Sequence, residues 1–247
     1  MAMKVAVVGA AGRMGKSVCE AVEGAGDMEL VAKLDVGDVI DAESLRGAQV
    51  VVEFTVPSAT DANVHAILDA GAHAVVGTTG WTDERLAKVA EHAKQVGKNV
   101  IIAPNYALSA VLAMAFAEKA ATMFESVEVI ELHHPDKVDA PSGTATTTAR
   151  RIGQVRREAG IAPSPDATET DPEGTRGGVI DGVHVHAVRL RGLYAHEEIL
   201  FGNPGEQLTI RQDSFGRDSF MPGVLLAVRN VAERPGLTYG LEALLDI

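Results

Sequence analysis

The chain has 247 residues, 46% of them hydrophobic and 4% aromatic, and carries a formal net charge of −12. That length permits one large domain or two modest ones with a real core, and the acidic balance argues against nucleic acid or an anionic membrane as a partner. No apolar stretch reaches the length of a membrane span, and a single cysteine, Cys19, leaves no intramolecular disulfide and no cysteine-cluster metal site.

The first residues, Met1 to Val8, enter a strand directly instead of forming a signal peptide, so the cytoplasm is the expected location. Lys4 to Gly9 reads as a short apolar strand, followed by Gly9-Ala-Ala-Gly-Arg-Met-Gly15 and a helix from about Arg13 to Ala25. Strand, glycine turn and helix in that order are the phosphate-binding start of a dinucleotide fold. The usual G-x-G-x-x-G spacing would put glycine at position 10; here Ala10 stands there and the glycines fall at 9, 12 and 15. The next strand, Glu29 to Asp35, ends in an acid twenty residues after Gly15, where a carboxylate accepts from the adenosine ribose hydroxyls. An acid there favours NADH, while Arg13 and Lys33 leave room for the extra phosphate of NADPH.

Strands at Ala48–Phe54, His73–Val76 and Asn99–Ala103 then alternate with helices opened by Pro57 and Thr82. That rhythm implies a parallel, doubly wound sheet, in which ligands bind outside the carboxyl ends of the strands. Phe54 and Thr55, then Gly77, Thr78 and Thr79, then Ala103, Pro104, Asn105 and Tyr106 therefore share a rim with the Gly9–Gly15 loop.

After a helix from about Leu108 to Phe124 the pattern changes. Ser126 to Leu132 alternates as a strand that delivers His133 and His134 at its end, on opposite faces and so for different jobs. Pro135 and Pro141 bracket a loop carrying Lys137, and Ser142 is an N-cap candidate for a helix to about Arg157. The N–H groups near Gly143 and Thr144 would lie at that helix's positive end. Lys137, the helix end and one histidine suit a small anion, which leaves the other histidine for proton transfer near neutral pH. Ile161 to Gly178 reads as an exposed loop, and strands at Val183–Leu190, His196–Phe201 and Glu206–Gln212 as an antiparallel, sheet-forming second domain. His184 and His186 share a strand face without a third ligand at a suggestive spacing, so they read as surface or interface side chains and no metal is expected. Ser219 to about Glu233 reads as a helix, and Tyr239–Leu245 as a short apolar tail able to return to the first domain.

The fold expected is α/β: a Rossmann-type doubly wound parallel sheet plus a second α+β domain with a mixed, largely antiparallel sheet. Residues 1–105 and 216–247 are expected to form the dinucleotide-binding domain, and 106–215 the substrate-binding and oligomerisation domain. These parts suggest hydride transfer onto a small carboxylated substrate. Another NAD(P)-dependent oxidoreductase, or a non-enzymatic dinucleotide sensor, uses the same architecture.

The run Glu131-Leu-His-His-Pro-Asp-Lys-Val-Asp-Ala-Pro-Ser-Gly-Thr-Ala145 closely resembles the signature of the 4-hydroxy-tetrahydrodipicolinate reductase (dihydrodipicolinate reductase) family. The resemblance extends over essentially the whole chain, through Gly-Ala-Ala-Gly-Arg-Met-Gly, Gly-Thr-Thr-Gly and Ala-Pro-Asn-Tyr. It implies NAD(P)H-dependent reduction of 4-hydroxy-tetrahydrodipicolinate, with loss of water, to tetrahydrodipicolinate in lysine and diaminopimelate biosynthesis. His133 then matches the proton donor or acceptor, and Lys137 a proton donor that also contacts the substrate. His134, Gly143 and Thr144 match the substrate-carboxylate site. Cofactor contacts would come from Gly9, Ala10, Ala11, Gly12, Arg13, Met14, Asp35, Gly77, Thr78, Thr79, Ala103, Pro104, Asn105 and Tyr106. The resemblance further implies NADH and/or NADPH as cofactor, a homotetramer paired through the second domains' sheets, and a C-terminal helix that rejoins the first domain.

Overall fold

Runs of valine, isoleucine and alanine suit strands covered by helices on both faces, and they build the first part of the chain as a parallel sheet. The computed structural model describes residues 2–245. In chain order its elements are β1 (Met3–Val8), α1 (Arg13–Gly24), β2 (Met28–Leu34), β3 (Val50–Glu53), α2 (Thr60–Asp69), β4 (His73–Val76), α3 (Asp83–Val96), β5 (Val100–Ile102), α4 (Leu108–Ala120), β6 (Ser126–His133), α5 (Gly143–Glu158), β7 (Gly178–Ile180), β8 (Val183–Arg189), β9 (Ala195–Asn203), β10 (Glu206–Ser214), α6 (Met221–Asn230) and β11 (Leu237–Tyr239). They form two compact units, Met1–Leu108 with Arg217–Ile247, and Ser109–Gly216.

The first unit holds a six-stranded sheet in the order β11-β5-β4-β3-β1-β2, every pairing parallel. From β1 the chain steps outward to β2, then returns to the other side as β3. The loops after β1 and β3 therefore diverge and leave a crevice at their carboxyl ends. Glycines make the crevice tight. Gly9 has φ +83°, and a Cβ there would lie 2.1 Å from the Phe54 carbonyl oxygen; a Cβ on Gly15 would lie 2.0 Å from the carbonyl oxygen of Gly9. The start of α1 is thus pressed onto the turn that precedes it.

Two expectations change here. The stretch read as an apolar tail begins with the end of β11, which pairs in parallel with β5 and completes the sheet. The single helix expected over 219–233 is a 3-10 turn (Arg217–Phe220), α6, and a second 3-10 turn (Val231–Glu233). Pro222 lies in the first turn of α6, where its missing N–H costs nothing.

The second unit holds a five-stranded sheet, β10-β9-β6-β8-β7, in which β6 and β8 run parallel and the other three pairings are antiparallel. One face packs on α5: Val127 and Val129 meet Ala145, Ala149 and Ile152 in a core with Ile199 and Phe201. The helix expected to reach Phe124 ends at Ala120. The carbonyls just beyond it serve Arg156 of α5, whose buried guanidinium donates to the oxygens of Ala121 (3.1 Å), Phe124 (2.8 Å), Glu125 (2.8 Å) and Ala162 (3.0 Å).

Gly15→Ala should lower the unfolding free energy by about 1–3 kcal/mol, the usual cost of forcing a methyl group into a filled site. Urea denaturation monitored by circular dichroism measures it; an unchanged midpoint would mean that the glycine turn yields freely.

Candidate functional site

Two cavities, of about 410 and 370 Å3, open at the carboxyl edge of the parallel sheet. Both are lined by Gly12, Phe54 and Thr55, so together they form one groove across the switch between β1 and β3. Near its middle α1 begins with Gly12 at the N-cap, no side-chain cap and no acid in the first turn. The Gly12 N–H is used by the Gly9 carbonyl (3.0 Å), which leaves Arg13 and Met14 to present the helix's positive end to the groove. That is the environment a pyrophosphate needs.

At one end of the groove Asp35 accepts from the N–H groups of Val36 (2.8 Å) and Ala11 (2.6 Å). Those two bonds hold its carboxyl below the usual aspartate range. A carboxylate has about four acceptor sites, so capacity remains for ribose hydroxyls. Lys33 is drawn away to Glu23 (2.8 Å).

At the other end Gly77, Thr78, Thr79, Pro104, Asn105 and Tyr106 line the cavity. The Phe54 ring lies on Gly77, where a Cβ would meet it at 1.9 Å. Thr78 Oγ1 accepts from the Thr55 N–H (2.7 Å), and the buried Tyr106 hydroxyl donates to the Val76 carbonyl (2.8 Å). Glu53, fully buried at the end of β3, accepts from Thr55 and Thr60 and from the Asn63 amide. The residues present therefore fit a dinucleotide. Ala10, Ala11 and Ala103 line neither cavity; their N–H groups go to Leu34 (3.0 Å), Asp35 (2.6 Å) and Val76 (3.1 Å).

The second unit carries the histidine loop. The core face of β6 bears Val127, Val129 and then Glu131, whose side chain is 1% exposed, with His133 next on the same face. Glu131 Oε2 meets His133 Nδ1 and accepts from Arg189 NH1 (2.9 Å), while Oε1 accepts from Arg189 NH2 (2.8 Å) and the Ser142 N–H (3.1 Å). Burial opposes ionisation of Glu131, but the bonds from Arg189 and His133 outweigh it and keep the carboxyl below the usual glutamate range. His133 is pushed below the usual histidine value by burial, which the Glu131 bond offsets only in part, and Lys137 and Arg189 add to the lowering.

Arg189 NH2 also donates to the Asp139 carbonyl (2.7 Å), and Asp139 Oδ1 accepts from Lys137 Nζ (2.8 Å), so Asp139 and through it Lys137 are tied to one arginine. His134 parts from its neighbour, its ring lying 6.2 Å from that of Tyr194. Ser142 caps α5 by accepting from the Ala145 N–H (3.1 Å), and the first turn holds no acid. The N–H groups of Gly143 and Thr144 are the orphan donors of that turn.

Across the β6–β9 pairing Glu131 lies opposite Glu197. Glu197 is 2% exposed; one oxygen accepts from the Thr148 hydroxyl (3.1 Å) and the other, among the described residues, has no partner. Burial pushes its pKa up to about 7, against the Thr148 bond and with help from Glu131. Glu131, Arg189 and Glu197 were missed as site residues. Glu131 was visible two positions before His133, whereas Arg189 and Glu197 arrive only through strand pairing. His184 and His186, on the other face, bond to the Arg176 carbonyl (2.8 Å) and to Glu128 (2.7 Å).

Comparison with known proteins gives a match to the family model "Dihydrodipicolinate reductase, N-terminus" over residues 3–106 and to "Dihydrodipicolinate reductase, C-terminus" over 109–245. The 4-hydroxy-tetrahydrodipicolinate reductase of Beutenbergia cavernae is 61% identical over 249 aligned positions, covering 100% of both chains. That of Streptomyces coelicolor is 58% identical, covering 99% of this chain and 98% of the relative. A dipicolinate-bound dihydrodipicolinate reductase from Paenisporosarcina sp. TG-14 superposes with a TM-score of 0.90 at 39% identity, over 98% of this chain and 99% of that one.

The state of Glu197 makes stability depend on pH. An acid whose pKa rises on folding stabilises the fold fully below its unfolded value, near 4.5, and that contribution is lost as pH climbs through about 7. Glu197→Gln removes the loss, so the variant should gain on the order of 3 kcal/mol over wild type between pH 4.5 and pH 8. Parallel pH dependences in chemical denaturation would exclude the shift.

Proposed function

The chain belongs to the dihydrodipicolinate reductase family, and we propose on that premise that it reduces 4-hydroxy-tetrahydrodipicolinate to tetrahydrodipicolinate with NAD(P)H and loss of water, in lysine and diaminopimelate biosynthesis. The observation that carries this reading is the run from His133 to Thr144, which gathers a histidine seated on a buried carboxylate, a lysine and an open helix N-terminus on one loop. The net reaction consumes one proton and releases one water: substrate, NAD(P)H and a proton give product, NAD(P)+ and water. Bound reduced nicotinamide supplies the hydride. The protein's own tasks are to orient a dicarboxylate and to deliver the proton.

Anion binding falls to the N–H groups of Gly143 and Thr144 at the start of α5, together with Lys137 and His134. A helix N-terminus and an ammonium together favour a carboxylate, which gives an acidic protein a locally positive site. Lys137 Nζ, held by Asp139 Oδ1 at 2.8 Å, exchanges that partner for the substrate. His133 is the proton donor or acceptor. Burial keeps its ring neutral at rest, and carboxylates bound alongside raise its proton affinity, which readies it to donate.

In the first unit Gly9, Gly12, Arg13 and Met14 take the pyrophosphate, Asp35 the adenosine ribose, and Gly77 to Thr79 with Pro104 to Tyr106 the nicotinamide side. Asp35 and Asp38, both lining the ribose end, disfavour an added phosphate, so NADH is the preferred donor and NADPH the weaker one. The same reading includes a homotetramer paired through the β10-β9-β6-β8-β7 sheet, on the face turned away from α5. No helix among the described residues is long and apolar enough to cross a membrane.

Loss of NADH absorbance, with substrate generated in situ from pyruvate and aspartate semialdehyde by a coupling synthase, tests the activity. Oxidation that needs the whole mixture supports it; tight NADH binding without oxidation moves the substrate assignment elsewhere. In that assay His133→Ala should lower kcat by on the order of 10²-fold or more with a smaller change in KM, and Lys137→Ala should impair both. Near-wild-type kinetics for His133→Ala would remove its proton-transfer role. Asp35→Ala should weaken NADH more than NADPH, and equal losses in fluorescence titrations would refute the ribose contact.

A further inference from the structure

The surroundings of Glu131 determine more about His133 than its position. Three of the four contacts to the carboxylate come from groups that only donate: the two Arg189 nitrogens (2.9 and 2.8 Å) and the Ser142 N–H (3.1 Å). The fourth is His133 Nδ1. With a fixed guanidinium on both of its oxygens Glu131 is ionised and can only accept, so Nδ1 must carry hydrogen. The neutral imidazole is thereby confined to one tautomer, and Nε2 holds the free lone pair. Burying a carboxylate to 1% exposure at the end of an apolar face costs desolvation that an apolar residue would avoid, so core packing alone does not account for it.

We propose that Glu131 is a positioning residue for proton transfer: it fixes the tautomer and ring orientation of His133, presents Nε2 as the nitrogen that exchanges a proton with substrate, and stabilises the imidazolium when it forms. This rests on the reading of His133 as the proton-transfer group. Arg189 acts one step further back. It holds Glu131 in place and, through the Asp139 carbonyl, ties the lysine loop to the same anchor. The charged groups facing the dyad are Arg189 from β8, Lys137 and Asp139 from the loop, and Glu197 from β9, which lies opposite Glu131 in the strand pairing.

Glu131→Gln separates charge and tautomer from volume. A glutamine has one acceptor oxygen, and whichever way its amide turns, the NH2 group confronts two of the four donors. If its oxygen keeps Ser142 and one arm of Arg189, its NH2 faces Nδ1, and the histidine escapes only by moving its hydrogen to Nε2, the wrong nitrogen for accepting a proton there.

Two measurements test this. In wild-type enzyme labelled with 15N-histidine, the signals missing from His133→Ala identify His133, and the expected pattern is a protonated Nδ1 with a bare Nε2. Glu131→Gln should lower kcat by roughly 10²-fold or more while leaving NADH affinity, a property of the other unit, unchanged; Glu131→Asp, which keeps the charge on a shorter stem, should recover part of the loss. A wild-type His133 found with hydrogen on Nε2 overturns the proposal even if the glutamine variant does not fold. Wild-type-like kcat in Glu131→Gln beside an impaired His133→Ala overturns the role of Glu131 alone, whereas an active His133→Ala overturns both assignments.

Discussion

A carboxylate taken out of water must be met by enough donors to replace its hydration, or the fold does not tolerate it. Glu131 meets that condition with a bidentate arginine, a backbone N–H at a helix start and a histidine ring. Each of those donors belongs to a different piece of the second unit: β8, the N-cap of α5, and the end of β6 itself. One buried charge thereby ties helix, strand and loop together. His133 and the N-terminus of α5 are placed by the same two oxygen atoms.

The neighbouring Glu197 shows how strongly environment outweighs residue type. Both glutamates lie on the same sheet face, opposite one another across a strand pair. Glu131 has Arg189 and is held ionised; among the described residues Glu197 has a single hydroxyl and an unpartnered oxygen, and burial drives it toward the neutral form. Burial, with a smaller contribution from the charge of Glu131, holds Glu197 protonated up to about pH 7, so below that the layer carries only one charge. Pairs whose proton affinities are driven apart in this way are common where protons are handled.

In the first unit the governing constraint is topological rather than electrostatic. A parallel sheet whose strand order reverses between β1 and β3 opens a crevice without any side chain being sacrificed to make it. The glycines at 9, 12 and 15 then let backbone approach backbone, and Glu53, Thr55 and Thr78 fasten the rim. Asp35 braces the glycine turn through Ala11 and keeps spare acceptor capacity at the end of the groove.

Much of this was legible in the residues alone. Alternation of apolar strands and helices specified the parallel sheet, because strands buried on both faces need continuous apolar runs, and Ser142 announced the start of α5 because its side chain can satisfy a first-turn N–H. His133, Lys137, Gly143 and Thr144 stood out through local chemistry packed into a dozen positions. The sheet partners were not legible: β11 is three residues long and gains its identity only from pairing with β5, and the short β7 only from β8. Nor did any local pattern bring Arg189, 58 residues away, onto Glu131, or set Glu197 opposite it. Periodicity and capping are properties of neighbouring residues, so the sequence determines them; which charge faces which across a sheet depends on strand register, and that exists only once the chain has folded.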